Sequence, residues 1–328
     1  MRKEFDACRE LFEHKQRFVL STHVNPDPDA IGSELALANF LRSRGKDVIV
    51  LNHSATPSNC LFLDPERTIV QFAPERHGDL IRNTEVIVVL DANQPERLQS
   101  LHPFVMQSKA TKLCIDHHLD RQPFADIYVI DEEAAATGEI LFNLFFHCDP
   151  GSVSKEIAIA LYAAIMTDTG SFRFPKTDAA LHRVVAGLIE RGADPVQIYH
   201  ETYEQWSAKR LQLLGNVFST LQLAHGGRVA AVFVTRAMFD KTGTSEEDTE
   251  HFVTYTLTIA GVQVGLMFTE LAEGVKISFR SRGNIAVNKL AQEFGGNGHK
   301  NAAGARTDAQ LLEAVITQVL ERSKAYLV

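Results

Sequence analysis

No apolar run in this chain approaches the roughly 20 residues that cross a bilayer, so a membrane-spanning role is not expected. The four cysteines, Cys8, Cys60, Cys114 and Cys148, are widely spaced and form no C-x-x-C pair. That spacing argues against a thiolate zinc site or a dithiol redox centre and leaves them as small buried hydrophobes. Glycine and proline are sparse, at 20 and 11 of 328 residues, and 45% of the chain is apolar, which describes a globular protein and excludes fibrous or disordered classes. Residues 1–17 are dense in charge and lack the apolar core of a secretory signal, so the expected location is the cytoplasm. Positive charge is in deficit, 33 Lys and Arg against 41 Asp and Glu for a net −8. A chain so short of cations is not built to wrap long duplex nucleic acid, whose binding rests on many contacts to phosphates.

What is present has an order. The length exceeds the ~150 residues that one core usually serves, so two domains are expected. In the first half, residues 18–22, 47–51, 86–90 and 112–115 are short apolar runs separated by helical patterns at 30–44, 134–146, 155–166 and 179–191. Runs that are apolar on both faces and alternate with helices indicate a parallel sheet covered on both sides. Residues 197–223 read as a polar, aromatic helical connector. Beyond it come a strand (228–235), a helix (246–259), two strands (262–270 and 275–280) and helices at 285–294 and 310–324, a second and smaller α/β unit. The expected boundaries are 1–195, 196–224 and 225–328, with an active site in the cleft between the two domains. Between Lys276 and Arg306 there are six Lys or Arg against one acid, so a small anionic ligand is expected there.

Three of the apolar runs end in acids or histidines. The first leads into His23, Asp27 and Asp29, another into Asp91, and a third into Asp116, His117 and His118. Asp168 closes the helical pattern that starts at 155. Ligands of open parallel sheets bind at the carboxyl ends of the strands, so these groups should converge. Taken singly, Asp29 also reads as a helix N-cap, and Asp91 and Asp168 as turn formers. His182 and His200 are given no function. If the acids do converge, two like charges about 4 Å apart repel by roughly 4 kcal/mol at an effective dielectric of 20, so a cation must sit among them. Mixed carboxylate and imidazole donors suit Mn²⁺ better than Ca²⁺. The donors are too many for one ion and would serve two.

His23-x-x-x-Asp27-x-Asp29, the isolated Asp91, Asp116-His117-His118 and Asp168-Thr-Gly resemble, in order, the four signature motifs of the DHH phosphoesterase superfamily. The segment from Phe294 to Gly304 resembles the Gly-rich signature of the DHH-associated domain. Size and layout are similar to the bacterial nanoRNase and pAp phosphatase subfamily. The resemblance implies a first metal held by His23 and Asp27, a second by Asp29, His117 and Asp168, and Asp91 bridging them. It implies that Asp116 orients a neighbouring imidazole and that His118 faces the substrate phosphate. Arg280, Ser281, Arg282, Gly296, Gly298 and His299 would bind substrate. The implied cofactor is a pair of Mn²⁺ ions, with Mg²⁺ or Co²⁺ as substitutes. The implied substrates are short oligoribonucleotides and 3′-phosphoadenosine 5′-phosphate (pAp), and the resemblance is compatible with a homodimer. Competing readings are a cyclic-dinucleotide phosphodiesterase, an inorganic pyrophosphatase or polyphosphatase, a long-strand exonuclease and a nucleotide-sensing module without turnover. Phe172 and Phe174 read first as core residues and second as rings that stack a base.

Overall fold

The computed structural model describes residues 2–308 and 311–327, which form two compact units, Met1–Gln205 and Trp206–Val328. Gln310, the expected start of the closing helix, lies outside the described residues.

The first unit runs α1 (Arg2–His14), β1 (Arg17–Ser21), α2 (Pro28–Arg42), β2 (Asp47–Asn52), β3 (Ile69–Gln71), α3 (Pro74–Asn83), β4 (Val86–Leu90), α4 (His102–Gln107), β5 (Thr111–Asp116), β6 (Ile127–Ile130), α5 (Thr137–Cys148), α6 (Lys155–Asp168), α7 (Ala179–Glu190) and α8 (Pro195–Tyr203). Its six strands are all parallel, in the order β3-β2-β1-β4-β5-β6. Alternate residues of one strand serve opposite layers. Phe18 and Leu20 of β1 and Val86, Val88 and Leu90 of β4 enter a large core with α2, α5 and α6. Val19, Ile87 and Val89 enter a second core with Ile81 of α3 and Val105 of α4. This two-sided burial is why the runs are apolar throughout. The strand order reverses direction between β1 and β4, and the crevice at such a switch point is where open α/β sheets hold their ligands.

The second unit contains α9 (Ala208–Phe218), β7 (Gln222–Ala224), β8 (Val229–Val234), α10 (Arg236–Thr242), α11 (Phe252–Thr256), β9 (Val264–Glu270), β10 (Val275–Ser281), α12 (Val287–Gln292), β11 (Asn297–His299), β12 (Ala302–Thr307) and α13 (Leu312–Ser323). Its sheet is ordered β11-β12-β10-β9-β8-β7, with only the β8–β9 pair parallel.

Several elements differ from the sequence expectation. The stretch 197–223 is two helices, α8 in the first unit and α9 in the second. Ser207 restarts the helix by accepting a hydrogen bond from the Arg210 amide. The helix expected at 246–259 is a 3-10 turn and the short α11, broken where His251 adopts φ 66°. The Gly-rich segment after Phe294, for which no strand was expected, forms a hairpin, β11 paired with β12. Helix α5 begins at Thr137, three residues later than the pattern placed it.

Candidate metal centre

The loop leaving β1 carries His23 and Asp27, and Pro28 opens α2. Asp27, not Asp29, is the N-cap, accepting hydrogen bonds from the amides of Asp29 (3.0 Å) and Ala30 (3.1 Å). Asp29 is thereby left free for the crevice, where it is buried and accepts from the amides of Thr137 (2.8 Å) and Gly138 (3.0 Å). Those amides open α5, whose N-terminal partial positive charge favours a carboxylate. Asp91 follows β4 in a left-handed conformation, φ 56°, and accepts from the Thr137 hydroxyl at 2.8 Å. Asp116 ends β5, fully buried. Its Oδ1 accepts from the amides of His117 (2.7 Å) and His118 (3.2 Å) and lies 2.7 Å from His118 Nδ1. Asp168 is the last residue of α6.

These residues meet at the switch point. Asp91 Oδ2 lies 3.4 Å from His23 Nε2, while its Oδ1 lies 3.6 Å from both His117 Nε2 and His118 Nδ1. His117 Nε2 is also 3.2 Å from Asp168 and 3.8 Å from Asp29. Two groups therefore have donor atoms close enough to share an ion, His23 with Asp27 and Asp91, and Asp29 with His117 and Asp168. Asp91, His117 and His118 also cluster with Asp116. Asp91 faces both sets through different oxygens. Each metal-facing imidazole is oriented from behind. His23 Nδ1 is 2.9 Å from the Val24 carbonyl and His117 Nδ1 3.3 Å from that of Ala134, which turns both Nε2 atoms towards the carboxylates.

Among the described residues, no Lys or Arg forms an ion pair with any of these acids. Burial, reinforced by the Asp91 charge, raises Asp27, lifts Asp29 well above the carboxylate range and brings Asp168 to about 7. Burial pushes Asp91 up as well, but the His23 hydrogen bond and the neighbouring imidazolium charges overturn it and hold Asp91 below its ordinary value. For His118, burial opposes the charge, yet the Asp116 hydrogen bond raises it to about 9, whereas burial pulls His117 down. Among the described residues, Asp116 Oδ2 is buried with no hydrogen-bond partner. Hard oxygens, imidazole nitrogens and an orphaned carboxylate oxygen, with no Lys or Arg paired to the acids among the described residues, fit a pair of divalent metal ions.

Several contributors were not read from the sequence. Thr137 and Gly138 clamp Asp29 and Asp91 from the start of α5, and their only signal is a Thr-Gly pair ahead of an apolar run. Asn93 donates from its amide to the His118 carbonyl at 2.7 Å. Lys176 donates at 3.1 Å to the Ala134 carbonyl that also orients His117. Behind the site, Asn52 donates to the buried Glu34 (2.8 Å) and accepts from the Thr22 amide (3.3 Å), while the Thr22 hydroxyl donates to the Leu90 carbonyl (2.7 Å). Glu34 thus braces the residues that precede His23 and Asp91.

In the second unit, Arg280 lies on β10, where burial draws its guanidinium down and its Nη1 donates to the Phe279 carbonyl at 2.9 Å. Arg282 donates to the Leu257 carbonyl. Ser281 is buried, with its hydroxyl donating to Ile285 (2.7 Å) and accepting from Asn301 (2.8 Å), so it shapes the turn rather than presenting a free donor. Gly298, at φ 142°, lies in β11. Gly296 stands where a Cβ would come 2.1 Å from the Gly304 carbonyl. The side chain of His299 lies outside the described residues. Two cations of the basic stretch, Lys276 and Arg306, are each paired with Glu246 at 2.7 Å, so the free positive charge is smaller than the sequence count implied.

Residues 17–165 match the model of the DHH family, N-terminal domain, and residues 226–325 that of the DHHA1 domain. The bifunctional oligoribonuclease and PAP phosphatase NrnA of Thermus thermophilus is 32% identical over 317 residues, spanning 92% of this chain and 87% of the relative. The chain belongs to the DHH family. Another member, the protein of the same name from Bacillus subtilis, is 28% identical over 291 residues, 88% of each chain. The crystal structure of an exopolyphosphatase-related protein from Bacteroides fragilis superposes with a TM-score of 0.95 at 33% identity, covering 99% of this chain and 97% of that one. DHH phosphoesterases are metal-dependent, and the donor set of this member fits that requirement.

Two outcomes follow for the DHH centre. Asp91→Asn should lower divalent-ion affinity in both ligand sets, read by calorimetric titration of the metal-free protein, whereas Asp168→Asn should weaken one set alone. Burial brings Glu34 to about 8 against the Asn52 bond, so its proton is held more tightly folded than unfolded, where 4.5 is ordinary. Its contribution to stability is full below that value and is lost as pH rises through about 8. The melting temperature of the metal-free protein should therefore fall across that window, and Glu34→Gln should flatten the slope.

Proposed function

We propose that this protein is a Mn²⁺-dependent phosphoesterase that hydrolyses short oligoribonucleotides to mononucleotides and pAp to AMP. The reading is carried by Asp91, whose two oxygens face two separate ligand sets, the requirement of a centre that places two cations on one phosphate. The names of the relatives, oligoribonuclease and PAP phosphatase, supply the substrate class. His23 and Asp27 would hold one ion, Asp29, His117 and Asp168 the other, and Asp91 would contribute to both, with Mg²⁺ or Co²⁺ as substitutes. When bound, such ions neutralise the nonbridging phosphate oxygens and bring the pKa of a water towards neutrality.

The chain's own residues do the rest. The Thr137 and Gly138 amides and the Thr137 hydroxyl fix Asp29 and Asp91 in place, so no reorganisation is needed as charge develops. Asp116, with Oδ1 2.7 Å from His118 Nδ1, orients that imidazole towards the substrate phosphate. Arg280, Arg282, Gly298 and His299 are assigned to substrate recognition, with Ser281 and Gly296 shaping their backbone. The net charge of −8 turns away long nucleic acid and leaves a short ligand.

Purified protein with Mn²⁺, offered a labelled dinucleotide, pAp, a cyclic dinucleotide and pyrophosphate in parallel, should turn over the first two. Release from pyrophosphate alone overturns the assignment. Asp91→Ala should cost about a thousandfold or more in turnover, which is ~4 kcal/mol of barrier, with the fold retained by circular dichroism. Arg280→Ala should raise KM roughly tenfold while the bound metal, read by atomic emission, stays at the wild-type level.

A further inference from the structure

Residues 168–176, which leave the metal-facing end of α6, hold two aromatic rings of opposite character. Phe172 is partly buried and packs into the main core, 5.9 Å from the Tyr162 ring and 5.7 Å from that of His182. Phe174 enters no hydrophobic cluster, contacts no other ring among the described residues and is 54% exposed. A single exposed Phe is ordinary on a protein surface. This one is held in place by unusual means. Gly170, Ser171 and Phe172 are consecutive left-handed residues at φ 57°, 59° and 64°, a conformation that bulky side chains rarely adopt. The tight turn returns the chain so that the amides of Arg173 (2.9 Å) and Phe174 (3.0 Å) both donate to the Thr169 carbonyl. The Phe174 ring then lies on Gly170, where any Cβ would come within 2.6 Å of two ring atoms. Gly170 is two Cα steps of about 3.8 Å from Asp168, and the Lys176 charge acts on the Asp168 carboxyl, so this segment adjoins the metal centre.

The neighbours match. Arg173 and Lys176 are its neighbours in the chain, both exposed, and each is anchored through a backbone carbonyl, Arg173 Nε to Gly170 at 2.6 Å and Lys176 Nζ to Glu132 at 2.6 Å. An exposed aromatic ring held by its backbone, with cationic neighbours in the chain and six residues after a carboxylate of a phosphate-processing centre, suits a nucleobase with its phosphate alongside. We propose that Phe174 is the base-stacking platform of the substrate site, with Arg173 and Lys176 as its cationic neighbours in the chain, so that this protein selects a phosphoester carrying a nucleobase next to the bond to be cut. The inference rests on the function proposed above and names the substrate feature that this side of the site reads.

The test uses the full chain, Mn²⁺ and two matched dinucleotides, one natural and one abasic. Phe174→Leu keeps an apolar side chain and removes the ring, and Phe174→Trp enlarges the ring. Wild-type protein should show a KM about tenfold lower for the natural dinucleotide than for the abasic one, and Phe174→Leu should bring that ratio close to one while Phe174→Trp preserves it. Binding is read separately from turnover with a non-hydrolysable phosphorothioate dinucleotide carrying 2-aminopurine. Its fluorescence should be quenched by the wild type and by Phe174→Trp and recover in Phe174→Leu. Quenching that persists in Phe174→Leu, or a ratio that survives in it, overturns the stacking role. Wild-type protein that quenches the probe but cuts neither dinucleotide keeps the platform and overturns the enzymatic reading.

Discussion

Everything in the first unit is arranged around a repulsion. Five aspartates are brought to the carboxyl ends of β1, β4 and β5 and the end of α6, and no arginine or lysine among the described residues pairs with them. Two such charges at about 4 Å cost on the order of 4 kcal/mol even at a dielectric of 20, a large part of what a domain has to spend. The protein offsets this with partial charges: the α5 amides on Asp29, the α2 amides on Asp27, the strand-end amides on Asp116. Burial raises three of the carboxyls, while the three imidazoles keep Asp91 ionised at the centre. The scaffold thus stores an unmet demand for positive charge at one point of the sheet, and that demand is the basis of metal affinity.

The sheet explains why the demand can be stored. Strands β1 and β4 are buried on both faces and hydrogen-bonded to each other over four residue pairs, so their ends cannot drift apart to relieve the charge. Glu34, Asn52 and Thr22 tie the two strand ends together beneath the site. A stiff base under mutually repelling ligands fixes their geometry before any ion arrives, which favours fast, repeatable catalysis over a site that must assemble.

Much of this was legible in the sequence because the relevant signals are local and redundant. Runs such as 86–90 are apolar at every position, which only two-sided burial explains, and an acid at the end of such a run has few places to go but the crevice. Other features were hidden for equally physical reasons. Strand β12 is built from alanine, glycine and one arginine and threonine, with no intrinsic strand preference. It is a strand because β10 offers it six consecutive partners. The cap of α2 fell to Asp27 and not Asp29 because Pro28 sets the first helical residue. Thr137 and Gly138 carry no charge, so nothing in their composition pointed to the role their amides play. The pairing of Lys276 and Arg306 with Glu246 joins residues 30 and 60 positions apart, beyond any local pattern.

The left-handed backbone at Asp91 limits how this protein can change. Asparagine and glycine are the other residue types at ease in that conformation, and neither carries a carboxylate. A longer acid would keep the charge but strain the chain and push its oxygens past the two ligand sets they now face. Evolution at this position therefore has an exit but no dial: the centre can be silenced by a conservative replacement there, while adjustments of metal preference or rate have to be made at its neighbours.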